Sequence, residues 1–413
     1  MEQISAMTAE TGQAGKNHIS FHLDARGLAT AAACGLALAY PAYLGLMFRS
    51  HDWILGPGGR PLITDFLVFH LAGAAALQGA AASAYIPQLH HAAEVAAIGH
   101  AFAGQLPWRN SPLFFFVAAA LALLPYFWAF VVWVAGSLAV YSLVVSRITR
   151  ARLALLLACA TPAVFINAIC GQNGALTAAL IGASLLSLER RPVVSGVLIG
   201  LLSYKPQFGV LFPLVLIAGG YWMTLATAAA TCAAATAGSA LVFGSDTLRA
   251  FLHYLPITSN EILVHGINGF NKLQTAYGLA RWLGFGNDAA WGGQTVLICL
   301  LVAGIFWLWR RDAPFALKAA ALPVATLLAT PHLFMYDFPL LAVSFAFLYR
   351  QRSFDGIEFA AVGLANLFIG AFLFFPTPVG LAALATALAL IVRRVLRETT
   401  RLSDTSLTVQ ATS

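Results

Sequence analysis

The stretch GVLIGLLSYKPQFGVLF, residues 196–212, sets Lys205, Pro206 and Gln207 between two runs that otherwise read as membrane. An ammonium at the centre of a bilayer costs about 2.5–3.5 kcal/mol even on the lenient insertion scale, so it faces a wet cavity, a partner charge or the interface. Lys205 therefore marks either a polar edge between two membrane helices or a site.

The rest of the chain supports the membrane setting. Of its 413 residues 60% are apolar and 9% charged, with a mean hydropathy of +0.80, against about 45–50% apolar and 25% charged in soluble domains. The composition is that of an all-α polytopic membrane protein. The first 26 residues are polar and lack an apolar core followed by a small-residue cleavage site, so they read as a cytosolic tail and not a signal peptide. The net charge of +7 carries less information than the placement of Lys and Arg, which short cytoplasmic loops retain; no nucleic-acid partner is implied. The five cysteines, Cys34, Cys159, Cys170, Cys232 and Cys299, lie in or beside apolar stretches without paired short spacing. They read as small hydrophobes and suggest neither a disulfide framework nor a zinc site.

Apolar segments near 28–48, 126–146, 154–170, 174–188, 192–204, 207–219, 222–243, 291–309, 315–330, 338–349, 357–375 and 378–392 predict about twelve transmembrane helices, several of them shorter than the roughly 20 residues an unaided span needs. Basic clusters at Arg147/Arg150/Arg152, Arg190/Arg191, Arg310/Arg311/Lys318, Arg350/Arg352 and Arg393/Arg394/Arg397 make the crossings alternate when each is placed inside, with both termini cytosolic. SPLFFFVAAALALLP (111–125) would break that alternation as a span and reads as a re-entrant or interfacial helix ended at Pro125. The expected organisation is a cytosolic tail (1–27), a transmembrane domain (28–394) whose first external loop (49–125) carries interfacial helices, and a disordered cytosolic tail (395–413). The polar residues inside apolar surroundings then collect at the outer face, in that loop, the turns at 172–173 and 205–207, a loop at 244–290 and the turn at 330–337. No internal repeat is evident.

Asp65 either caps the helix that follows it or acts as a general base, being ionised at neutral pH; Asp52, Asp246 and Asp288 are rivals in weaker contexts. Gln172 and Asn173, in CGQNGALTAAL (170–180), make either an ordinary polar turn or amides that hold sugar hydroxyls or a phosphate. Lys205 either snorkels or partners a phosphate beside a helix end opened by Pro206. His332, Tyr336 and Asp337 share an external turn. His332 is either a hydrogen-bonded structural residue or a contact to phosphate or acceptor. His90, His91, Glu94 and His100 fall short of a recognised zinc pattern, so no metal is expected. Trp108, Arg109 and Asn110 precede the re-entrant stretch and could frame a lipid headgroup.

The block GQNGALTAALIGASLLSLERRPVVSGVLIGLLSYKPQFGVLFPLVLIAGGYW (171–222) resembles the signature of glycosyltransferase family 87, which includes polyprenyl-phosphate-mannose-dependent mannosyltransferases. TDFLVFHLAGAAALQGAAASAYIPQLH (64–90) is similar to its first-loop motif, and TPHLFMYDFPLL (330–341) to its late external turn. The chain departs from the family pattern at WRNSP (108–112) and at Tyr85-Ile86-Pro87, both where substrate would enter. The resemblance implies a GT-C fold with its active site facing away from the cytosol, a polyprenyl-phosphate sugar donor, a glycolipid or glycan acceptor, inverting transfer and no cofactor. By motif position it implies Asp65 as base, Lys205 with Gln207 facing the donor phosphate, Gln172 and Asn173 lining the site and His332 near the phosphate or the acceptor; Arg109, Tyr336 and Asp337 are further candidates for substrate binding. The alternative is a transporter or flippase of a lipid-linked sugar or other amphiphile, in which the same residues bind a phosphate and nothing reacts.

Overall fold

A computed structural model describes residues 25–104 and 106–412; most of the expected amino-terminal tail lies outside that range. Within it the chain is helical, with isolated β-bridges only at Trp53–Leu55 and Leu55–Pro61. Helix α1 (Ala25–Arg49) leads into a connection carrying α2 (Asp65–Leu77), α3 (Pro87–Ile98) and α4 (Phe115–Ala122), which turns at Pro125 into α5 (Tyr126–Thr149). The segment 154–170 is split into α6 (Ala154–Cys159) and α7 (Pro162–Cys170), because Pro162 lacks an N–H and starts a new helix. Then follow α8 (Gly174–Ser187), α9 (Pro192–Leu201), α10 (Phe212–Gly219), α11 (Trp222–Phe243), α12 (Ser245–Leu263) and α13 (Ala276–Trp282). The last five are α14 (Asn287–Arg310), α15 (Phe315–Ala329), α16 (Pro339–Gln351), α17 (Gly356–Ala371) and α18 (Val379–Thr412).

Five stretches are long and apolar enough to cross a membrane, at Thr30–Arg49, Tyr126–Thr149, Trp222–Phe243, Asn287–Arg310 and Val379–Thr399. Their outer faces leave large apolar side chains uncovered, among them Leu38, Leu241 and Leu300, as lipid-facing helices do. Of the shorter helices, α8, α15 and α16 are buried over most of their length. Every residue of α15 from Ala319 to Ala329 is buried, which fits a helix that is apolar on all sides. At one end of the bundle Arg394 pairs with the fully buried Glu358 (Nη2 to Oε2, 2.8 Å), while Arg393 and Arg397 pair with Asp355, tying α17 to α18.

Two expectations are revised. The 244–290 connection contains α12, an amphipathic helix burying Thr247, Phe251, Tyr254, Thr258 and Ile262. Its apolar stripe is narrow and Pro256 reads as a stop, so an apolar-run criterion passes over it. The segment read as a disordered tail continues α18 to Thr412; residues 395–412 contain neither Gly nor Pro to end the helix.

A second, aromatic core orders the first connection. Trp108 stacks on Phe115 with centroids 4.8 Å apart, and Phe114 stacks on Tyr204 at 5.2 Å. Residues 112–122 extend only about 16 Å as helix and pack against α2. A Cβ added to Gly73 of α2 would lie 2.0 Å from the carbonyl oxygen of Ala118, so backbone touches backbone where α2 crosses α4. Gly73→Ala is therefore expected to force the two helices apart at a cost of about 1–3 kcal/mol, read as a lower thermal unfolding midpoint in detergent. An unchanged midpoint would mean that the crossing is looser than described.

Candidate active site

Three polar turns and the start of α2 meet in one place. Helix α7 ends at Gly171 in the left-handed conformation (φ 67°), a geometry that glycine adopts without strain. The chain then passes Gln172 and Asn173 and enters α8 at Gly174. A Cβ on Gly174 would lie 1.9 Å from the carbonyl oxygen of Tyr336, and Asn167 Nδ2 donates to that same oxygen at 3.1 Å, so the 171–174 and 334–337 turns are pressed together. From the third turn, Lys205 Nζ donates to Asp337 Oδ1 at 2.6 Å and to Asn173 Oδ1 at 3.0 Å. The rings of Phe208 and Tyr336 flank the ammonium at 5.0 and 5.4 Å.

The first connection is bonded to the same cluster. Asn173 Nδ2 donates to Asn110 Oδ1 at 2.9 Å, and Ser111 N to Tyr204 O at 3.1 Å. Gln172 Oε1 accepts from Asn173 N at 3.2 Å, which turns its amide nitrogen toward Asp65, to whose Oδ2 it donates at 3.1 Å. Asp65 takes the first position of α2 but bonds to no backbone N–H, so it does not cap the helix. Among the described residues its Oδ1 accepts no hydrogen bond. Asp337 is differently occupied: Oδ1 accepts from Lys205 and Oδ2 from Phe334 N at 3.4 Å.

Burial raises the pKa of Asp65 above the ordinary carboxylate range, opposed by the Gln172 bond and the positive charges of Arg109, Lys205 and Lys272. Asp337 is likewise raised by burial, with Lys205 pulling against it. Burial, reinforced by Arg109, lowers His332 to about 4, so its imidazole is neutral at physiological pH. Arg109 is lowered by its own burial, opposed by Tyr336, Tyr254, Asp65 and Glu261.

Of the residues expected at the site, Asp65, Gln172, Asn173, Lys205, Tyr336 and Asp337 thus lie in one connected network, with Arg109 and His332 beside it. Gln207 sits on the short turn Pro206–Phe208 and makes no side-chain hydrogen bond among the described residues. Asn173 is buried and spends its amide on Asn110 and Lys205, which makes it a positioning residue. Trp108 and Asn110 do not frame a headgroup: both are buried, and Tyr85 donates to Asn110 O at 2.8 Å, so the two places where the chain departs from the family pattern touch each other. Glu94 accepts from His91 Nδ1 (3.0 Å) and Leu106 N (3.1 Å), closing the loop behind α3. Among the described residues no group of three or more His, Cys, Asp or Glu is placed to hold a metal. Asp246 is exposed and paired with Arg249 at 2.9 Å, away from the network.

Sequence reasoning passed over the end of α12. Asn268, with its amide oxygen toward the guanidinium, accepts from Arg109 Nη1 and Nη2 at 3.1 Å, and Ile267 N donates to Glu261 O at 3.2 Å, folding that loop back onto the helix. Arg109 Nε, Glu261 Oε2 and His332 Nε2 are all buried without a hydrogen-bond partner. Buried polar atoms of this kind call for a polar partner. Glu261 stands three and seven positions after Thr258 and Tyr254 on the same helical face, a spacing readable from sequence once 245–263 is taken as amphipathic.

In comparisons with known proteins, the family model described as Glycosyltransferase family 87 matches residues 108–331. The match covers Arg109, Gln172, Asn173, Lys205 and Gln207, and ends one residue before His332. No curated protein and no solved structure matches the chain.

The Lys205–Asp337 pair gives a direct test of the network. With side-chain exposures of 12% and 2%, removing one partner strands the other, at an expected cost of about 3–5 kcal/mol. Lys205→Met and Asp337→Leu should each lower the unfolding midpoint strongly, whereas the double variant should recover most of the loss. Additive losses in the double-mutant cycle would show the two groups to be uncoupled.

Proposed function

The chain belongs to glycosyltransferase family 87, and from that premise we propose that it transfers a hexose, mannose by resemblance, from a polyprenyl-phosphate donor to a glycolipid or glycan acceptor with inversion. As a membrane glycosyltransferase it requires a sugar donor and an acceptor; the lipid-phosphate form of the donor suits a site built among membrane helices. The reading includes a GT-C architecture of about twelve crossings, with 111–125 re-entrant. The protein sits in the cytoplasmic membrane, its termini cytosolic and its site on the extracytoplasmic face, following the placement of the basic loops.

The observation that carries the reading is the contrast between two neighbouring carboxylates. Asp337 has both oxygens occupied and serves Lys205. Asp65 has one oxygen held by Gln172 and the other free, in surroundings where three cations favour its ionised form. In the proposed step the acceptor hydroxyl attacks the anomeric carbon from the face opposite the phosphate. Its proton passes to Asp65 Oδ1 as the oxygen–carbon bond forms. The bond from the anomeric carbon to the phosphate oxygen breaks, and polyprenyl phosphate leaves with the electron pair. Phosphate is already a leaving group, so no second carboxylic acid is required, unlike glycoside hydrolysis.

Lys205 has three N–H donors, of which Asp337 and Asn173 take two, leaving one for a phosphate oxygen. Arg109, with its buried Nε unpartnered, adds a second cation. His332, held neutral, offers a hydrogen bond rather than a charge. The buried unpartnered oxygen of Glu261 suits a sugar hydroxyl.

The test is transfer by detergent-purified protein offered radiolabelled polyprenyl-phosphate mannose and polyprenyl-phosphate glucose separately, with a membrane glycolipid extract as acceptor. Label should enter a new product with the wild type, and Asp65→Asn should lose at least about a hundredfold of the rate, the lower range for a general base, while still binding donor. Full activity of Asp65→Asn would remove Asp65 from the mechanism. Because the base must be deprotonated and burial raises its pKa, activity should fall on the acid side at a pH above that of an ordinary aspartate. A limb at the ordinary position would mean that Asp65 is not desolvated in the working enzyme.

A further inference from the structure

Helices α8, α15 and α16 have one end at the candidate active site and the other at a separate feature that the transfer chemistry does not use. There a cavity of about 140 Å³ is lined by Leu186, Glu189, Arg190, Phe315, Phe347 and Arg350, with Ala316 completing the wall. Helices of 14, 15 and 13 residues separate the two features by roughly 20 Å. The volume is well above the roughly 10–15 Å³ that one water requires.

The charges around the cavity are unbalanced. Arg350 makes a single side-chain hydrogen bond, from Nη1 to Ile148 O at a long 3.4 Å. Among the described residues the Arg190 and Arg150 side chains make none, and both lie within electrostatic reach of Arg350, whose pKa is lowered by burial and then by those two charges; Glu189 supplies the opposing carboxylate. Three guanidinium groups against one carboxylate leave an excess of two positive charges. Arg150 is held at φ 59°, a left-handed conformation that costs a non-glycine residue about 1–2 kcal/mol. Phe315 and Ala316 form the first turn of α15, whose opening N–H groups have no acceptor inside the helix and carry the positive end of its dipole. Leu186, Phe315 and Phe347 make the remaining wall apolar.

The geometry points to a binding site for the phosphate of an anionic lipid, held by Arg190, Arg350 and the first turn of α15, with the apolar wall against the lipid's glycerol and acyl region. The retention of basic residues in cytoplasmic loops accounts for arginines at this end of the bundle. It does not account for a walled cavity among them, or for an Arg350 that is half-buried and almost unpaired. Free phosphate shares the headgroup's chemistry and is the other source that the test separates.

The experiment uses full-length, delipidated protein in a neutral detergent. Bound lipid is counted by native mass spectrometry, and the unfolding midpoint is followed with phosphatidylglycerol, with phosphatidylcholine of the same acyl chains, or with inorganic phosphate. Phosphatidylglycerol should be retained in preference to phosphatidylcholine and should raise the midpoint. Arg190→Gln, at an exposed position, should weaken that preference about tenfold, as should Arg350→Gln, each removing a charge-assisted hydrogen bond. Arg310→Gln, a basic residue outside the cavity, should leave it unchanged. A midpoint raised by inorganic phosphate and not by phosphatidylglycerol, and abolished by Arg190→Gln, would keep the site and assign it to the free anion. Equal retention of the two lipids with no response to phosphate, or a preference untouched by both arginine variants, would overturn the proposal. None of these readouts depends on sugar transfer.

Discussion

The buried pairing of Lys205 with Asp337 is the contact on which the geometry of the polar turns depends. The two residues are 132 positions apart, and each alone would be too costly to bury in an apolar bundle. Asp337 accepts from Lys205 through one oxygen, and its other oxygen meets the Phe334 N–H. Lys205 in turn holds Asn173, Asn173 holds Asn110, and the Tyr336 carbonyl rests on Gly174. The pair contributes less through net attraction than through the exclusion of alternatives: any other placement of the turn after α9 against the start of α16 would leave a buried charge unpaired. The aromatic core between Trp108, Phe114, Phe115 and Tyr204 then sets the height of α2, and with it Asp65, against this frame.

That frame divides the labour between two aspartates by hydrogen-bond occupancy. A carboxylate clamped by an ammonium and a backbone N–H is a structural anion. One that accepts from a single amide, with Arg109 and Lys272 acting from a distance, keeps an oxygen without a hydrogen bond, the atom to which the proposed transfer gives the acceptor's proton. Gln172 matters because both ends of its amide are fixed: a backbone N–H claims its oxygen, so its nitrogen is left to hold Asp65 in one orientation. A glutamate at that position would repel Asp65 and raise its pKa further.

Much of this was legible in the sequence because hydrocarbon makes polar residues conspicuous. The ends of α5, α8, α11, α15 and α16 fall close to where glycine, proline and arginine punctuate the apolar runs. Asp65, Gln172 and Lys205 stand out as polar interruptions. What could not be read is partnership. Nothing local to Lys205 identifies Asp337 rather than Asp65 as its counter-ion, and nothing in WRNSP indicates that Asn110 turns inward to Asn173. Helix α12 was missed for a different reason, since its buried face mixes Thr258 and Tyr254 with Phe251 and so carries only half of an apolar signature. The carboxy-terminal segment reads as a tail by composition, although it lacks the residues that would end a helix.

The short helices explain why both polar features exist. A span of full length presents only apolar surface through the membrane, and its ends lie in water. In a bundle whose interior is α8, α15 and α16, with no more than 15 residues each, helix ends fall inside the apolar body. There unpaired backbone groups must be satisfied by protein or must line a cavity. At one end the amides of Gln172 and Asn173 and the Lys205–Asp337 pair provide those partners, and the polar turns become a site. At the other end the first turn of α15 meets Arg190 and Arg350 with no protein anion sufficient to balance them. Burying short, uniformly apolar helices within longer spans therefore creates two polar layers, one satisfied from within the chain and the other left positive.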